Sequence, residues 1–408
     1  MYNNQRHGNH VANPTSNGMN KQQQTSNGMR ILIVTGIFEP ESGGPAIYAP
    51  NIAEKLAGSG NQVSVIAYSS EPREDFDARY KFALTRVARG NKFLNRIRMF
   101  FAVFKKSKDA DLVYMLDWFA AGFPAALASR LRGIPYVVRV GGDYLWEQKY
   151  LESREKPISL SDFYEHGAYR RFSYKLFFWI IRSVLNHAET VIFNSDKQKE
   201  LHRRFYGLTR AVTVCNPVPR SETRRIVRGF VTKELVYLGR MTAMKNLGTL
   251  IRAFAKAQIP DEFTLALIGD GPVKKELTSL IKELALESRV SIEQGMPFYD
   301  AMERIKNCRA FILPSWTDIS PNQVYEALAI GLPAVVTKEN YLSIQNQLPE
   351  MIDPNSIEDI SSKLEMLADD AKYRAFAEAF RAISFENTWD DVAREHMTVF
   401  SSVVNKKN

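Results

Sequence analysis

Cysteine is scarce in this chain, and several features that would narrow its class are missing. Only Cys215 and Cys308 occur in 408 residues, and they form no CxxC pair and no cluster with histidine. This excludes a disulfide framework and a structural zinc site, and it is typical of a reducing compartment. No uncharged apolar run reaches the roughly 18 residues that a membrane-spanning helix requires. We therefore expect a cytoplasmic protein that, if it meets a membrane, lies on the inner face.

The beginning of the chain lacks the apolar core of a secretory signal. Residues 1–28 are rich in Asn, Gln, Ser and Gly, which predicts a disordered polar leader, although such a segment could also bind a partner. From Met29 onward the sequence MRILIVTG is abruptly apolar. We expect the folded part of the chain to begin there.

The positive charge is concentrated in the first half of the chain. The formal net charge is +9, and residues 29–218 hold 28 Lys and Arg against 19 Asp and Glu, whereas residues 219–408 hold 24 against 26. This asymmetry suggests an anionic partner for the first half, either a phosphate-bearing substrate, an anionic lipid surface or nucleic acid. Because no recognisable nucleic-acid-binding module accompanies the charge, nucleic acid is not expected.

Short apolar runs alternate with longer helix-period segments, and this pattern occurs twice. It indicates an α/β protein in which stacked βαβ units form parallel sheets, and 45% hydrophobic content is enough for two cores. The predicted strands are 31–36, 63–68, 112–116, 136–140 and 190–195 in the first half, and 235–239, 264–269, 289–293, 310–315 and 333–337 in the second.

The charged, proline-containing segment 216–234 separates the two halves and predicts a linker. We expect a first doubly wound domain at 29–218, a second at 219–384 and a terminal segment at 385–408. Two such domains facing each other form a cleft lined by the carboxyl ends of both sheets, where open α/β sheets bind ligands.

One helix of the second half has clear start and stop signals. In DISPNQVYEALAIGLP, Ser320 is a plausible N-cap, Pro321 suits the first helical position and Gln323 can complete a capping box. Gly331 fits the left-handed position after the helix, and the proline that follows prevents its continuation. We expect a helix of about ten residues starting at Pro321.

Two carboxylates flank the start of this helix. Asp318 lies on the preceding loop, and Glu326 lies about one and a half turns into the helix. Both can face one ligand, with the NH-rich, positive helix end between them. For an arbitrary pair of acids, the ordinary interpretation would be that Asp318 merely stabilises the helix N-terminus and that Glu326 is a surface residue.

The sequence around these acids resembles a known family. An acid, seven intervening residues and Glu, followed by ALAIGLPAVV, is similar to the signature of retaining glycosyltransferases of family 4, the glycosyl transferases group 1. Four further segments match in order over about residues 29–404: GIFEPESGGPAIYAPNIAEKLAGSGNQVSVIAY, GRMTAMKN, LIGDGPVKKEL and FENTWDDVAREHMTVFSSVV. The resemblance implies a GT-B fold, in which two Rossmann-like domains face each other and a C-terminal helix crosses back to the first. It also implies transfer of a sugar from a nucleoside-diphosphate sugar with retained configuration, without metal or cofactor.

The resemblance assigns roles to individual residues. Glu326 would bind the nucleotide ribose, Asp318 the sugar hydroxyls, and Arg240 with Lys245 the donor diphosphate, where two fixed cations neutralise growing charge. Asp318 stands where Glu is commoner. The remaining donor-binding candidates are backbone or small side-chain positions in the matching loops: Gly43, Gly44, Gly239, Gly269, Gly271, Ser320, Pro321 and Asn322.

The segment VRVGGDYLWEQ occupies the place of a functional loop of the first domain, where relatives often have a histidine. No histidine is present here. Arg139 and Asp143 are therefore the acceptor-side candidates. The DAD triplet at 109–111 precedes a predicted strand in a charged turn, and we assign it to chance rather than to a metal site.

Two segments of the first half combine Lys and Arg with aromatic residues at helical spacing: NKFLNRIRMFFAVFKKSK at 91–108 and YRRFSYKLFFWIIRSVLN at 169–186. Basic amphipathic helices can lie in a membrane interface. The alternative is that their apolar stripes are core and the arginines extend outward, which is common for helices of α/β domains. We predict peripheral contact with an anionic membrane surface and an acceptor that is a lipid-linked or cell-envelope glycan.

The sequence therefore favours an active retaining glycosyltransferase, with two alternatives. A catalytically silent relative that serves as a scaffold or binding subunit is compatible with the altered loop of the first domain. A sugar-nucleotide epimerase can share the same two-domain fold, but the two spaced acids argue against it.

Overall fold

The computed structural model describes residues 28–41, 43–70, 75–150, 157–319 and 321–406. The predicted polar leader therefore lies, except for Gly28, outside the described residues. The described strands are β1 Arg30–Thr35, β2 Gln62–Ser69, β3 Ala83–Ala88, β4 Leu112–Met115, β5 Tyr136–Val140, β6 Thr190–Phe193, β7 Ala211–Thr213, β8 Glu234–Leu238, β9 Thr264–Ile268, β10 Val290–Glu293, β11 Ala310–Leu313, β12 Ala334–Thr337 and β13 Met351–Ile352.

Helices connect these strands in both halves of the chain. They are α1 Gly44–Gly58, α2 Lys92–Lys106, α3 Gly122–Arg132, α4 Tyr144–Tyr150, α5 Leu160–Glu165, α6 Phe172–His187, α7 Asp196–Tyr206, α8 Arg220–Thr223, α9 Leu247–Lys256, α10 Lys274–Glu283, α11 Phe298–Ile305, α12 Asn322–Ala329, α13 Ile357–Ala368, α14 Asp370–Arg381 and α15 Trp389–Asn405. Among the described helices, none is long and apolar enough to cross a membrane.

The strands form two separate parallel sheets. The first has seven strands in the order β3-β2-β1-β4-β5-β6-β7, and the second has six in the order β10-β9-β8-β11-β12-β13. The register of the first sheet pairs Ile33 with Val65 on one side and with Tyr114 on the other. The predicted pair of doubly wound α/β domains is therefore confirmed.

All ten predicted strands are present, and three strands were not predicted. The three strands of the structure that the sequence did not predict are β3, β7 and β13, which lie at sheet edges. An edge strand is less buried than a central one and therefore carries a weaker apolar run. In β7, for example, all three residues are only partly buried, and β13 has just two residues.

The first sheet is covered on both faces. Side chains of one face pack with α2, α3, α6 and α7, and include Leu32 and Val138. Side chains of the opposite face, including Ile33 and Tyr114, pack with α1 and α15. Helix α15 follows the whole second domain in sequence, so the expected terminal helix that crosses back to the first domain is confirmed.

Two segments pass between the domains, and they are hydrogen-bonded to each other. The backbone N–H of Val218 donates to the carbonyl of Asn387 at 2.7 Å. The side-chain amide of Asn387 donates to the carbonyls of Cys215 at 3.0 Å and Asn216 at 3.2 Å. Both crossings of the chain are therefore held together at one place.

Candidate active site

A partly buried ion pair lies at the carboxyl edge of the second sheet. The Lys245 ammonium contacts Asp318 Oδ2 at 2.5 Å, and the Ser315 hydroxyl donates to the same oxygen at 2.9 Å. Asp318 is fixed through its backbone as well, because its N–H donates to the carbonyl of Glu339 at 2.9 Å. The two residues to which the family resemblance gave different parts of the donor are thus in direct contact.

The position of Lys245 depends on the residue that follows it. Asn246 adopts a left-handed conformation with φ of 57°, and its side-chain amide donates to the carbonyls of Pro314 at 3.1 Å and Pro354 at 3.0 Å. Asparagine tolerates this conformation better than most residues. These bonds tie the loop after β8 to the end of β11, which brings Lys245 to the loop that carries Asp318.

Arg240 lies on the same loop as Lys245 but is exposed. Its backbone carbonyl accepts a hydrogen bond from the Tyr237 hydroxyl at 2.9 Å, which fixes the backbone. Within the described part of the chain, no carboxylate pairs with its guanidinium. The loop therefore holds one paired cation and one cation that remains available for a ligand.

Helix α12 begins at Asn322, one residue later than predicted, and Pro321 precedes it as the N-cap residue. Its end matches the prediction: Gly331 has φ of 70°, and the N–H of Leu332 donates to the carbonyl of Ala327 at 2.9 Å. This is the Schellman arrangement that favours glycine. The predicted N-cap Ser320 lies outside the described residues.

Glu326 lies inside α12 and is partly buried. Burial raises the pKa of its carboxyl to about 7. No hydrogen bond reaches this carboxyl from the described residues. An acid without protein partners at a sheet edge is able to bind a hydroxyl-bearing ligand.

The predicted glycines of the second domain allow two loops to approach each other closely. A Cβ atom at Gly269 would lie 2.0 Å from the carbonyl oxygen of Gly239, and one at Gly271 would lie 2.1 Å from that of Met241. Gly239 also adjoins α12, since a Cβ there would lie 3.3 Å from Gln323 Nε2. These contacts set the loops after β8 and β9 beside the first turn of α12.

Glu147 of the first domain was not singled out in the sequence. Burial and the neighbouring Asp143 carboxylate raise its pKa to about 7, and Lys245 partly offsets the shift while Asp318 adds to it. Its Oε1 accepts the backbone N–H of Asp143 at 3.2 Å. Glu147 lies four residues beyond the predicted candidate in VRVGGDYLWEQ, and only a structure brings it near the ion pair of the second domain.

The two acceptor-side candidates are buried and have protein partners. Asp143 accepts the Tyr164 hydroxyl at 2.6 Å and lies 3.2 Å from His202 Nε2. Arg139 donates to Asn216 Oδ1 at 2.6 Å, and its guanidinium lies 4.3 Å from the centre of the Tyr48 ring. Neither contacts the Lys245–Asp318 pair, and their acceptor-side role stays a prediction.

Arg139 instead connects the domains through a chain of hydrogen bonds. Asn216 accepts from Arg139 and donates its own amide to Asn322 Oδ1 at 2.8 Å. Asn322 is the first residue of α12, which carries Glu326. A buried residue of the first sheet thereby helps to orient the helix of the candidate site.

Gly43 is the N-cap residue of α1, and Gly44 is the first residue of that helix. Gly43 has φ of 148° and precedes the helix, whereas a Cβ at Gly44 would find open space within 4 Å. No described contact joins either glycine to Lys245 or Asp318. Their predicted role in donor binding rests on the loop sequence and on its position at the carboxyl edge of the first sheet.

The site combines groups that suit a ligand with both phosphate and hydroxyls. Arg240, Lys245 and the N-terminus of α12 provide positive charge for phosphate oxygens. Asp318, Glu326 and Glu147 provide acceptors for hydroxyl groups. Such fixed positive groups stabilise a leaving phosphate as its charge develops.

Two family models match most of the chain. The Glycosyl transferase 4-like domain covers residues 43–219, and Glycosyl transferases group 1 covers residues 222–382. A Methanocaldococcus jannaschii protein named as an uncharacterized glycosyltransferase is 23% identical over 398 residues, which are 91% of this chain and 98% of the relative. Bacillus subtilis TuaC, named for teichuronic acid biosynthesis, is 23% identical over 237 residues, which are 56% of this chain and 53% of TuaC.

A solved structure shares the fold over nearly the whole chain. HepE of Anabaena, in complex with UDP and glucose, aligns with a TM-score of 0.70 at 17% sequence identity, covering 92% of this chain and all of HepE. At this identity the likeness concerns the fold, and it agrees with the two facing domains and the returning α15. The chain therefore belongs to the glycosyl transferases group 1, the GT4-type glycosyltransferases with a GT-B fold.

Proposed function

We propose that this glycosyltransferase moves a sugar from a nucleoside-diphosphate sugar to a lipid-linked or cell-envelope glycan, with retention of the anomeric configuration and without a metal ion. The observation that carries the proposal is the Lys245–Asp318 pair beside α12, with Arg240 exposed on the same loop. A phosphate-bearing donor matches this set of charges better than a neutral sugar does.

The contact between Lys245 and Asp318 suggests how the two residues share the donor. A single lysine ammonium has three donor hydrogens, so Lys245 can keep its bond to Asp318 and still donate to a phosphate oxygen. Asp318 then orients the lysine and offers its other oxygen to a sugar hydroxyl. Glu326 takes the ribose hydroxyls, and Arg240 takes the outer phosphate oxygens.

The proposed reaction needs no protein base. The glycosidic bond to the donor phosphate breaks, the acceptor oxygen bonds to the anomeric carbon on the same face, and the leaving phosphate takes the acceptor proton. Arg240 and Lys245 stabilise the charge that develops on this phosphate, which accelerates the step because the interaction strengthens in the transition state.

The names of similar proteins support the donor and the kind of acceptor. HepE has been solved with UDP and with glucose, which supports a nucleotide-sugar donor. TuaC is named for teichuronic acid biosynthesis, which supports a role in assembling a glycan polymer. The free cysteines Cys215 and Cys308 support a cytoplasmic location, where nucleotide sugars are used.

A panel of UDP-, GDP- and ADP-sugars tests the proposal. We expect purified protein to release the nucleoside diphosphate from one donor, and Glu326→Ala and Lys245→Ala to lower the rate at least about a hundredfold. Lys275→Ala and Glu276→Ala are matched controls, since both residues are exposed on the first turn of α10, and should leave the rate unchanged.

The retaining outcome needs a separate measurement. NMR of the product formed from an α-linked donor should show an α linkage, and a β linkage would contradict the proposal. If no donor is bound in calorimetry and none is hydrolysed, the protein is the silent scaffold rather than an enzyme. A donor converted to its epimer, with no transfer, would identify the epimerase instead.

A further inference from the structure

Exposed apolar side chains are concentrated on three helices of the first domain. Of the 15 large apolar residues that are exposed in the described chain, ten belong to α2, α3 and α6. Among the aromatic members, the exposed fraction is 96% for Phe172, 71% for Phe93 and 63% for Phe101. The remainder of the ten are Leu94, Ile97, Leu127, Leu131, Leu176, Phe177 and Trp179.

The same three helices carry charge of one sign only. Together they contain nine Lys and Arg and no Asp or Glu. Arg170 and Arg171 add two more positive charges immediately before α6. Surface helices of soluble proteins normally mix both signs, so this bias points to a negatively charged partner.

The three helices form one continuous surface, which we call the basic aromatic face and define by the exposed residues of α2, α3 and α6. They lie side by side on the face of the first sheet opposite α1 and α15. The guanidinium of Arg132 on α3 lies 3.8 Å from the centre of the Phe104 ring on α2. Phe177 of α6 meets Phe119, just before α3, with ring centres 5.4 Å apart.

These exposed residues are not the core stripe of the helices. Helix α2 has its own buried residues, Met99 and Val103, and α6 buries a separate set that includes Phe178 and Ile181. Phe93, Ile97 and Phe101, spaced four residues apart, form a second stripe on the outside. The helices are therefore apolar on the inner side and aromatic and basic on the outer side.

We propose that the basic aromatic face docks on an anionic lipid membrane. Aromatic side chains are favoured at the boundary between acyl chains and headgroups, and Lys and Arg are attracted to anionic headgroups beside them. The surface of a soluble protein partner normally mixes both charges and would not require positive charge alone across three neighbouring helices. An anionic bilayer is negative over its whole surface and therefore complements the entire basic aromatic face.

The orientation of the helices places the docked surface beside the cleft. A helix that returns between parallel strands begins at their carboxyl edge, so the first turns of α2 and α6 lie at the edge that faces the second domain. Phe93 and Phe172, two of the most exposed residues of the face, lie in these first turns. If the proposed function holds, a lipid-linked acceptor anchored in the same membrane reaches the site without leaving the bilayer.

Co-sedimentation of the full chain with vesicles tests the docking directly. We expect binding to phosphatidylcholine vesicles that contain phosphatidylglycerol, weaker binding as salt is raised, and no binding to pure phosphatidylcholine. Substituting Phe93, Phe101, Phe172 and Trp179 together by Ser should weaken binding at least about tenfold, because burial of each aromatic ring is lost.

A matched variant and a donor-binding assay complete the experiment. The control substitutes Val227, Phe230, Phe298 and Tyr299 by Ser, which are similarly exposed but lie outside the face, and should bind vesicles as the wild type does. Both variants should bind the nucleotide-sugar donor normally in solution. This readout separates the docking proposal from the proposed function.

Three results would overturn the docking proposal. The first is no binding of the wild-type protein to anionic vesicles at physiological salt. The second is an equal loss of binding in both quadruple variants. The third is a wild-type dimer in sedimentation velocity that only the face variant disrupts, because the face would then be covered by a second copy of the chain.

Discussion

At the scale of single residues, the second domain keeps one carboxyl unusually easy to protonate. The pKa of Glu326 is about 7 because its partly buried carboxyl is shielded from water, whereas its ordinary value is 4.5. Between these pH values the folded chain holds a proton that the unfolded chain releases. The free energy of unfolding therefore falls as pH rises through this window, and the site is maintained at a cost in stability.

Glu326→Gln should remove this dependence. The variant is expected to be more stable than wild type at about pH 8, by up to about 3 kcal/mol, and to lose the advantage toward about pH 5. Urea unfolding across this range measures it, with exposed Glu276→Gln as the control. The pKa of Glu147 is raised as well, so the double variant Glu147→Gln with Glu326→Gln should flatten the pH dependence of the unfolding free energy further. An unaltered pH dependence in Glu326→Gln would contradict the argument from burial.

At the scale of elements, the loops after β8 and β9 approach each other so closely that a side chain at Gly269 should destabilise the fold. Gly269→Ala places a methyl group 2.0 Å from the Gly239 carbonyl at φ of 148°, so we expect a loss of more than about 3 kcal/mol in stability. Gly133→Ala is the control, because its φ is 65° but its surroundings are open, and should cost about 1 kcal/mol. If thermal unfolding shows the same decrease in Tm for both variants, the loops can move apart to accommodate the methyl group and the prediction is wrong.

The elements also show what the sequence could predict. Nine of the ten predicted strands are central, and they were predictable because buried parallel strands are continuous apolar runs bounded by Gly and Pro; the tenth, β10, is an edge strand. The end of α12 was predictable because only a few residues tolerate the conformation of Gly331. Edge strands such as β7 were not, since they bury too little to carry that signal.

Contacts between distant residues were beyond the sequence. Lys245 and Asp318 are 73 positions apart, and their pairing depends on the loop anchored by Asn246. Glu147 belongs to the first domain, and it comes near this ion pair only because the two domains face each other. The family resemblance supplied roles for the first two residues, but no local pattern marks the third.

At the scale of the whole molecule, the last helix belongs structurally to the first domain. Phe400 on α15 is fully buried, and its ring centre lies 5.0 Å from that of Tyr114 on β4. Phe400→Ala should therefore destabilise the first domain by about 3–5 kcal/mol.

Hydrogen exchange resolved by segment can locate that effect. Amides of β1, β4 and α1 should lose protection, while those of β8, β9 and β11 keep theirs. Exposed Thr398→Ala, on the same helix, should change neither set. Loss of protection confined to the second sheet would contradict the assignment of α15 to the first domain.

The two crossings between the domains, bonded to each other at Val218 and Asn387, also restrict how the domains can move. A single connecting segment would let one domain swivel about any axis through it. Two segments joined side by side act as a hinge, which leaves rotation about one axis as the main degree of freedom. Opening and closing of the cleft is then a one-dimensional motion, and the hydrogen bond from Asn216 to Asn322 connects the hinge directly to the first residue of α12.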